Sequence, residues 1–434
     1  MMVDLQMEYA VLEAGERYPM LVDSGGMPDF YVSLFISVEM RPKSQASTLE
    51  KVLSALKHLR RWEAFHGRNL VDEFHEGCLL EQQDLYSLRD HCKLDSEAFD
   101  NWVAQTQRVN AGDLVNVASF NRHQPPSILA VSSNHCAIRI AYISQYLKFL
   151  AETVMRVRTD YVALRPQIDR MVENFRNLTP RARNNKRNSG AYRTPPRSVL
   201  ETYLNIAKPG SIDNPFKNTG RQLRHYIMMR LQFEAGLRSG EVLGLWLEDI
   251  EYGTESNVHV VRRHHDRNDP RIRQAVAKTE PRTLPIANDL AKLIHQYVIE
   301  VRSQIPEAQH HPLIFVSHAS NGRGKPISAK AIMQEMGLVI STRPDTFAGL
   351  TRHQLRHGFT LELKEHLDSL GIANEAQHPI VQYALGHANP DSQEAYTHIY
   401  NQKSARKMLR EINRRRHSNA QKNSSSKTDS GNDA

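Results

Sequence analysis

The sequence predicts a mainly α-helical protein with one small antiparallel β-sheet, an α+β chain built from more than one domain. Three observations carry this. Apolar residues recur at helical spacing over 47–65 and 134–154. Three short runs, 246–252, 258–263 and 274–286, read as strands of a small antiparallel sheet. The stretch 176–197 holds basic residues and no acid, with enough Asn, Ser, Gly and Pro to break any regular pattern, so it reads as a linker between folded regions. At 434 residues the chain has length for two or three domains, each able to bury a core.

Taken in order, residues 1–27 form an acidic lead-in that ends at the turn signal Ser24-Gly25-Gly26, read as a strand pair packed on the next domain. A helical domain then spans 28–175. Its clearest helix, 47–65, places Leu49, Val52, Leu53, Leu56, Leu59 and Trp62 on one stripe, and Ser47 with Glu50 has the form of a capping box. Lys51, Lys57, His58, Arg60 and Arg61 fall mostly off that stripe, as an ordinary solvated face would. The helix over 134–154 turns Ile138, Ala141, Tyr142, Tyr146, Phe149 and Leu150 inward. After the basic linker at 176–197, a second domain runs over 198–416. Helices are expected at 222–234, from 241, at 287–304 and at 328–340, the last capped by Ser328. Residues 365–379 read as an inserted surface loop. Residues 403–416 form a basic helix with Met408, Leu409 and Ile412 on one side, and the polar tail 417–434 is expected to be disordered.

Composition narrows the partners. The net charge is +8 and 24% of residues are charged, which favours a polyanionic partner. The charge is uneven: residues 1–40 hold one basic residue, Arg17, against seven acids, and the cations gather at 176–197 and 403–416. Arg181, Arg183, Lys186 and Arg187 make the linker a candidate strap on a DNA backbone, where each phosphate contact releases counterions. Three widely spaced cysteines form no zinc pattern and no disulfide framework, which suits a reducing, cytoplasmic setting. The start MMVDLQMEYA lacks the features of a secretory leader, and no apolar run is long enough for a membrane span, so no membrane partner is expected. The doublets His264-His265 and His310-His311 read as solvated loop residues, and no metal or other cofactor is expected.

The chemistry-bearing residues lie late in the chain. LTRHQLRHGF sets His353 and Arg356 three apart, on one helical face. LGHANPDSQEAYTHIY places His387 after a Leu-Gly pair, and Tyr396 nine positions later. AGLRSGEVLGL puts Arg238 at a helix start, three before Glu241. Lys278 is the one lysine between Asp249 and Pro285 and sits between two strand-like runs. Two arginines, two histidines and a tyrosine, with no carboxylate cluster, suit the task of holding a phosphodiester and attacking it with a phenol oxygen. Arginine offers a permanently charged planar fork to two phosphate oxygens. A phenol, with an ordinary pKa near ~10, needs a base or strong electrostatic help. Each residue also has a bland reading: a surface charge at a helix start, an exposed turn lysine, a packed core histidine. The weight comes from finding all of them in order.

That order resembles the tyrosine recombinase (phage integrase) family: an Arg box at Arg238, a hairpin lysine at Lys278, a His-x-x-Arg box at His353 and Arg356, an L-G-H box at His387, and a tyrosine nine residues on at Tyr396. The likeness is strong over about 195–412 and weak over 28–175. It implies a helical core-binding domain followed by a catalytic domain, and a site-specific recombinase that breaks and rejoins DNA through a 3′-phosphotyrosyl intermediate without a cofactor, as an integrase of a mobile element would. Tyr396 would be the nucleophile, His353 its base, His387 a hydrogen-bonder to the phosphate and Lys278 the acid for the leaving oxygen. Glu241 and His357 would support them. Tyr400 and Tyr383 are rival phenols. Double-stranded DNA is the implied substrate, a homotetramer the synaptic assembly, and an accessory DNA-bending or directionality factor a further partner. A type IB topoisomerase shares this chemistry but rejoins the same strand, and a non-catalytic DNA-binding protein would keep the boxes for folding alone.

Overall fold

In a computed structural model, residues 5–110, 130–180, 195–386 and 405–416 are described. The chain is mainly helical with small antiparallel sheets, and it forms two compact units that part near residues 188 and 189.

The N-terminal unit opens with a hairpin of β1 (Gln6–Val11) and β2 (Arg17–Val22), in register from Gln6 opposite Val22 to Val11 opposite Arg17. β2 is almost wholly buried and packs on α2 (Ala46–His66). The other helices are α1 (Phe30–Phe35), α3 (Leu70–Glu76), α4 (Gln82–Cys92), α5 (Ser96–Asn110), α6 (Ser133–Met155) and α7 (Tyr161–Asn177). Trp62, Phe35, Phe74, Tyr146 and Phe175 fill their shared core.

Two details depart from expectation. Ser47 does not cap α2: Gln45 stands at the cap without a side-chain bond, and the Glu50 carboxylate instead accepts from the Tyr9 hydroxyl at 2.9 Å. A tertiary partner has outcompeted the local one. In α6, Tyr146 and Leu150 are buried as expected, but Ile138 and Ala141 are exposed, and Ile140, Ile143 and Leu147 take the core. This helix touches α1, α2, α3, α4 and α7 at once, so its buried face is wider than a single stripe and turned from the expected one.

The C-terminal unit is built around α9 (Thr219–Glu234) and α13 (Arg352–Ser369), which pack together. Around them lie α8 (Arg197–Ala207), α10 (Ser239–Leu243), α11 (Asn288–Gln296), α12 (Ala329–Ile340), α14 (Asn374–Leu385) and a helix at 405–416, here α15. Ser328 caps α12 as expected, accepting from the Ala331 amide at 3.1 Å.

The sheet is shorter than its sequence signals: β3 (Ile250–Glu251), β4 (Asn257–Val260) and β5 (Arg282–Pro285), antiparallel, in the order β3-β4-β5. Residues 261–263 and 274–281, expected as strand, belong instead to a long connection over 261–281. Side chains brace it. Arg263 lies 4.0 Å over the Trp246 ring and pairs with Asp249, while Arg271 donates to the Leu243 and Ile327 carbonyls. With these anchors available, the apolar residues in the run are held without a ladder. His311 is another departure, since it is buried and its Nε2 meets the Gly324 carbonyl at 2.9 Å.

The expected loop at 365–379 is helical over most of its length. α13 continues to Ser369 because Phe359, Leu363 and Leu367 stay buried at helical spacing. Gly371, at φ +69°, turns the chain into α14. The extension seats α15, whose Ala405, Met408, Leu409 and Ile412 join the core of the same unit. Arg416 pairs with Glu362 on α13, and Arg410 with Glu255 at 2.6 Å. Residues 417–434 lie outside the described residues.

Candidate active site

The site is assembled where α9, α10, α13 and α14 end or begin together. α9 gives way to Gly236, which adopts φ +64° and sits so close to the Phe359 ring that a β-carbon would fall 2.3 Å from it. Only glycine fits that turn and that approach. It delivers Arg238 to the N-cap of α10, with its side chain 34% exposed.

Arg356 arrives from the first turns of α13 and is buried. It donates to the Gly236 carbonyl and, at 2.7 Å, to the Leu385 carbonyl. Arg238 donates to the same Leu385 oxygen at 3.3 Å. The last carbonyls of a helix have no partner within it and carry the negative end of its dipole. The end of α14 thus draws both guanidinium groups to one atom, one residue before Gly386.

A single carboxylate organises the cations. Glu241 is 3% exposed. Its Oε2 accepts from the Arg238 amide at 2.8 Å and from Arg282 Nη2 at 2.9 Å, and stands 3.6 Å from Arg356. Its Oε1 accepts from Arg282 Nη1 at 3.1 Å and from the Thr279 hydroxyl. Three guanidinium groups against one carboxylate leave a net positive patch, which an anion would balance.

Lys278 lies in the 261–281 connection, not on a hairpin tip. Its neighbours Ala277 and Thr279 are buried while the lysine is exposed, so it projects from an otherwise anchored segment. His353 and His357 are both exposed on α13, one turn apart. His357 makes no side-chain hydrogen bond among the described residues. His387 and Tyr396 lie outside the described residues, as do Tyr400 and the linker cations Arg181, Arg183, Lys186 and Arg187. The rival Tyr383 is buried, and its hydroxyl donates to the Thr283 carbonyl at 3.2 Å.

Residues 211–403 match the phage integrase family, a stretch that contains every candidate catalytic position. That stretch, residues 211–403, is a catalytic domain of the tyrosine recombinase (phage integrase) family. A tyrosine recombinase XerD of Halalkalibacterium halodurans is 28% identical over 177 residues, 41% of this chain and 50% of that protein. Transposase A from transposon Tn554 of Staphylococcus aureus is 27% identical over 196 residues, 45% of this chain and 49% of that protein. The chain therefore spans about half the length of these curated relatives. A tyrosine recombinase XerC of Staphylococcus haemolyticus is 24% identical over 330 residues, 75% of this chain and 94% of that protein. Among solved structures, a XerH site-specific recombinase bound to palindromic difH substrate in a post-cleavage complex is 13% identical, with 90% of this chain and 94% of that chain covered at a TM-score of 0.36, too low to fix any feature here.

In this tyrosine recombinase-family domain, the electrostatics follow from the packing. Burial lowers the Arg356 pKa and Arg238 adds like-charge repulsion, bringing it down to about 9, so the group is still charged at neutral pH. Burial also lowers Arg238, with Arg282 acting in the same direction. For Glu241, burial alone would raise the pKa, but Arg282 and the hydrogen bonds it receives bring it below the ordinary carboxylate value. His353 is pushed below its ordinary value by burial, then by Arg352, His357, Arg238 and Arg356. Burial first, and then the cations around it, favour the neutral imidazole, the form able to take a proton.

Arg282 and Thr279 are the members of this cluster that sequence reasoning missed. The available signal was Arg282 itself, an arginine in a strand-like run before Leu284 and Pro285. Alternation along β5 puts it on the same face as Leu284, where a cation needs a buried acid. Among the described residues no helix is long and apolar enough to cross a membrane.

Proposed function

We propose that this protein is a site-specific DNA recombinase that cleaves and rejoins double-stranded DNA through a 3′-phosphotyrosyl intermediate, as an integrase of a mobile element. The observation that carries the reading is the convergence of Arg238 and Arg356 on the Leu385 carbonyl, immediately before Gly386. A diester phosphate there would accept from both guanidinium groups and relieve their mutual repulsion.

In the proposed step the Tyr396 oxygen bonds to phosphorus and the bond from phosphorus to the 5′ oxygen breaks. The phenol proton goes to His353, and the leaving oxygen takes a proton from Lys278. His387 hydrogen-bonds the phosphate. The bond energy is kept in the phosphotyrosine, so a hydroxyl from another strand can reverse the step. Exchange between two duplexes calls for a homotetrameric synapse on DNA, with the basic linker residues Arg181, Arg183, Lys186 and Arg187 on the backbone.

The direct test is a nicked suicide substrate from the ends of the element that encodes the protein. Cleavage should trap a covalent adduct, and peptide mapping should find the DNA on Tyr396. Relaxation of a supercoiled plasmid lacking any recombination site, with no strand transfer between duplexes, would favour the topoisomerase reading instead.

Two further outcomes are expected. Arg238→Ala removes a partly exposed donor and should slow cleavage by about 10²–10³-fold while duplex binding falls far less. The pH dependence of kcat/KM reports the free enzyme. The neutral form of His353 is the base, and its pKa lies below the ordinary 6.5. The rising limb of the rate should therefore have its midpoint below 6.5, and His353→Gln should remove that limb.

A further inference from the structure

The segment after Lys278 is tied down more densely than a loop that merely carries a lysine requires. The Thr279 hydroxyl donates to Glu241, the Glu280 amide donates to the Gly386 carbonyl at 3.2 Å, and Arg282 Nε donates to the Ala384 carbonyl at 3.0 Å. Arg282 Nη1 also reaches the Thr279 hydroxyl at 3.0 Å, and its paired carboxylate holds the Arg238 amide. The Arg282 and Glu241 side chains are each 1% exposed. Gly386, at φ +62°, leaves no room between these parts: a β-carbon there would lie 2.5 Å from Arg282 Nη1 and 2.9 Å from the Thr279 β-carbon. One buried arginine thus links the strand that follows Lys278, the acid beneath Arg238 and the end of α14 that receives Arg238 and Arg356.

We infer that Arg282, with Thr279, is a positioning residue for Lys278. It fixes the exposed ammonium relative to the two phosphate-holding arginines, so that the leaving 5′ oxygen receives its proton in register with attack. This rests on the strand-cleavage reading above. Arg282 touches no reacting atom; it acts through the chain segment that presents the lysine.

The test uses the full-length protein and two suicide substrates that differ in one atom. In one, the bridging 5′ position at the scissile phosphate is oxygen; in the other it is sulfur. An alkoxide leaves poorly unless protonated, whereas a thiol is acidic enough, with a pKa near ~8.5, to leave as thiolate. Loss of the acid should therefore cost about 10²-fold or more on oxygen and little on sulfur. Lys278→Ala should show that rescue. If Arg282 positions the lysine, Arg282→Gln should show it too, falling about 10²-fold on oxygen and recovering to within severalfold of wild type on sulfur, with Arg282→Lys intermediate. Thr279→Val gives the same readout by a gentler change if Arg282→Gln does not fold. Arg238→Ala should stay slow on both substrates.

Equal losses on oxygen and sulfur for Thr279→Val or a folded Arg282→Gln, beside a rescued Lys278→Ala, would overturn the inference, as would wild-type rates on oxygen. If the wild-type protein cleaves neither substrate, strand cleavage itself fails and the two failures are told apart.

Discussion

Tyr396→Phe is expected to abolish the covalent protein–DNA adduct, by about 10⁶-fold, the scale on which removing a nucleophile acts. Duplex binding should be unchanged, because in the proposed site arginines, and not the phenol, hold the phosphate. The measurement is adduct formation on a suicide substrate beside a binding isotherm at the same salt. Tyr383→Phe is the matched control. Its hydroxyl is committed to the Thr283 carbonyl on β5 and the ring is buried, so its loss should leave cleavage within severalfold of wild type. Tyr400→Phe should likewise retain the adduct, since the nine-residue spacing from His387 falls on Tyr396 and not on Tyr400. An adduct that persists in Tyr396→Phe would remove the central residue of the proposal.

What sequence could show about this site depended on whether a residue's role is local. Arg238 was legible because Gly236 and the helix start lie beside it, and the local turn alone fixes where the arginine begins. Arg356 was legible because three residues on a helix suffice to pair it with His353. The Glu241–Arg282 pair was only half legible. Alternation along β5 says that Arg282 needs a buried acid, but its partner lies 41 positions away and nothing local says which acid it is. The convergence of both arginines on Leu385 was hidden for the same reason, since the acceptor is a backbone carbonyl and carries no side-chain signature.

The fold shows the same division. Helices with a long apolar repeat were read correctly in kind, but the α6 face was misjudged because five neighbours, and not one, cover it. The ends of the 261–281 connection, 261–263 and 274–281, were expected as strand; Arg263 on Trp246 and Arg271 on two carbonyls hold the segment without a ladder. The stretch 365–379 was expected to be a loop because the interval between the His-x-x-Arg and L-G-H boxes is longer than is usual in the family. Leu367 and buried His366 continue the α13 face against α15, an element that enters some 40 residues later (366 to 405).

The Glu241–Arg282 pair leads to the largest expected effect on stability. Both side chains are almost fully buried, and removing one partner of such a pair leaves an uncompensated charge in the interior. Glu241→Ala should therefore destabilise the protein by about 3–5 kcal/mol, read as a shift in the urea midpoint at unchanged slope. The pH dependence has a definite sign. The folded pKa of Glu241 is below its ordinary 4.5, so its stabilising contribution is fully present above that value and is lost as pH falls through the lower folded value. The gap between wild type and Glu241→Ala should thus be constant from pH 6 to 8 and close only in acid. Glu241→Met with Arg282→Met removes both charges, and it should recover a large part of the loss, because an apolar pair of similar volume has no desolvation cost to offset. It should not recover cleavage, since the Arg238 amide and the segment after Lys278 lose their common acceptor. A Glu241→Ala protein as stable as wild type would mean that Arg282 finds another counter-charge, and that the carboxylate is not what holds the three guanidinium groups together.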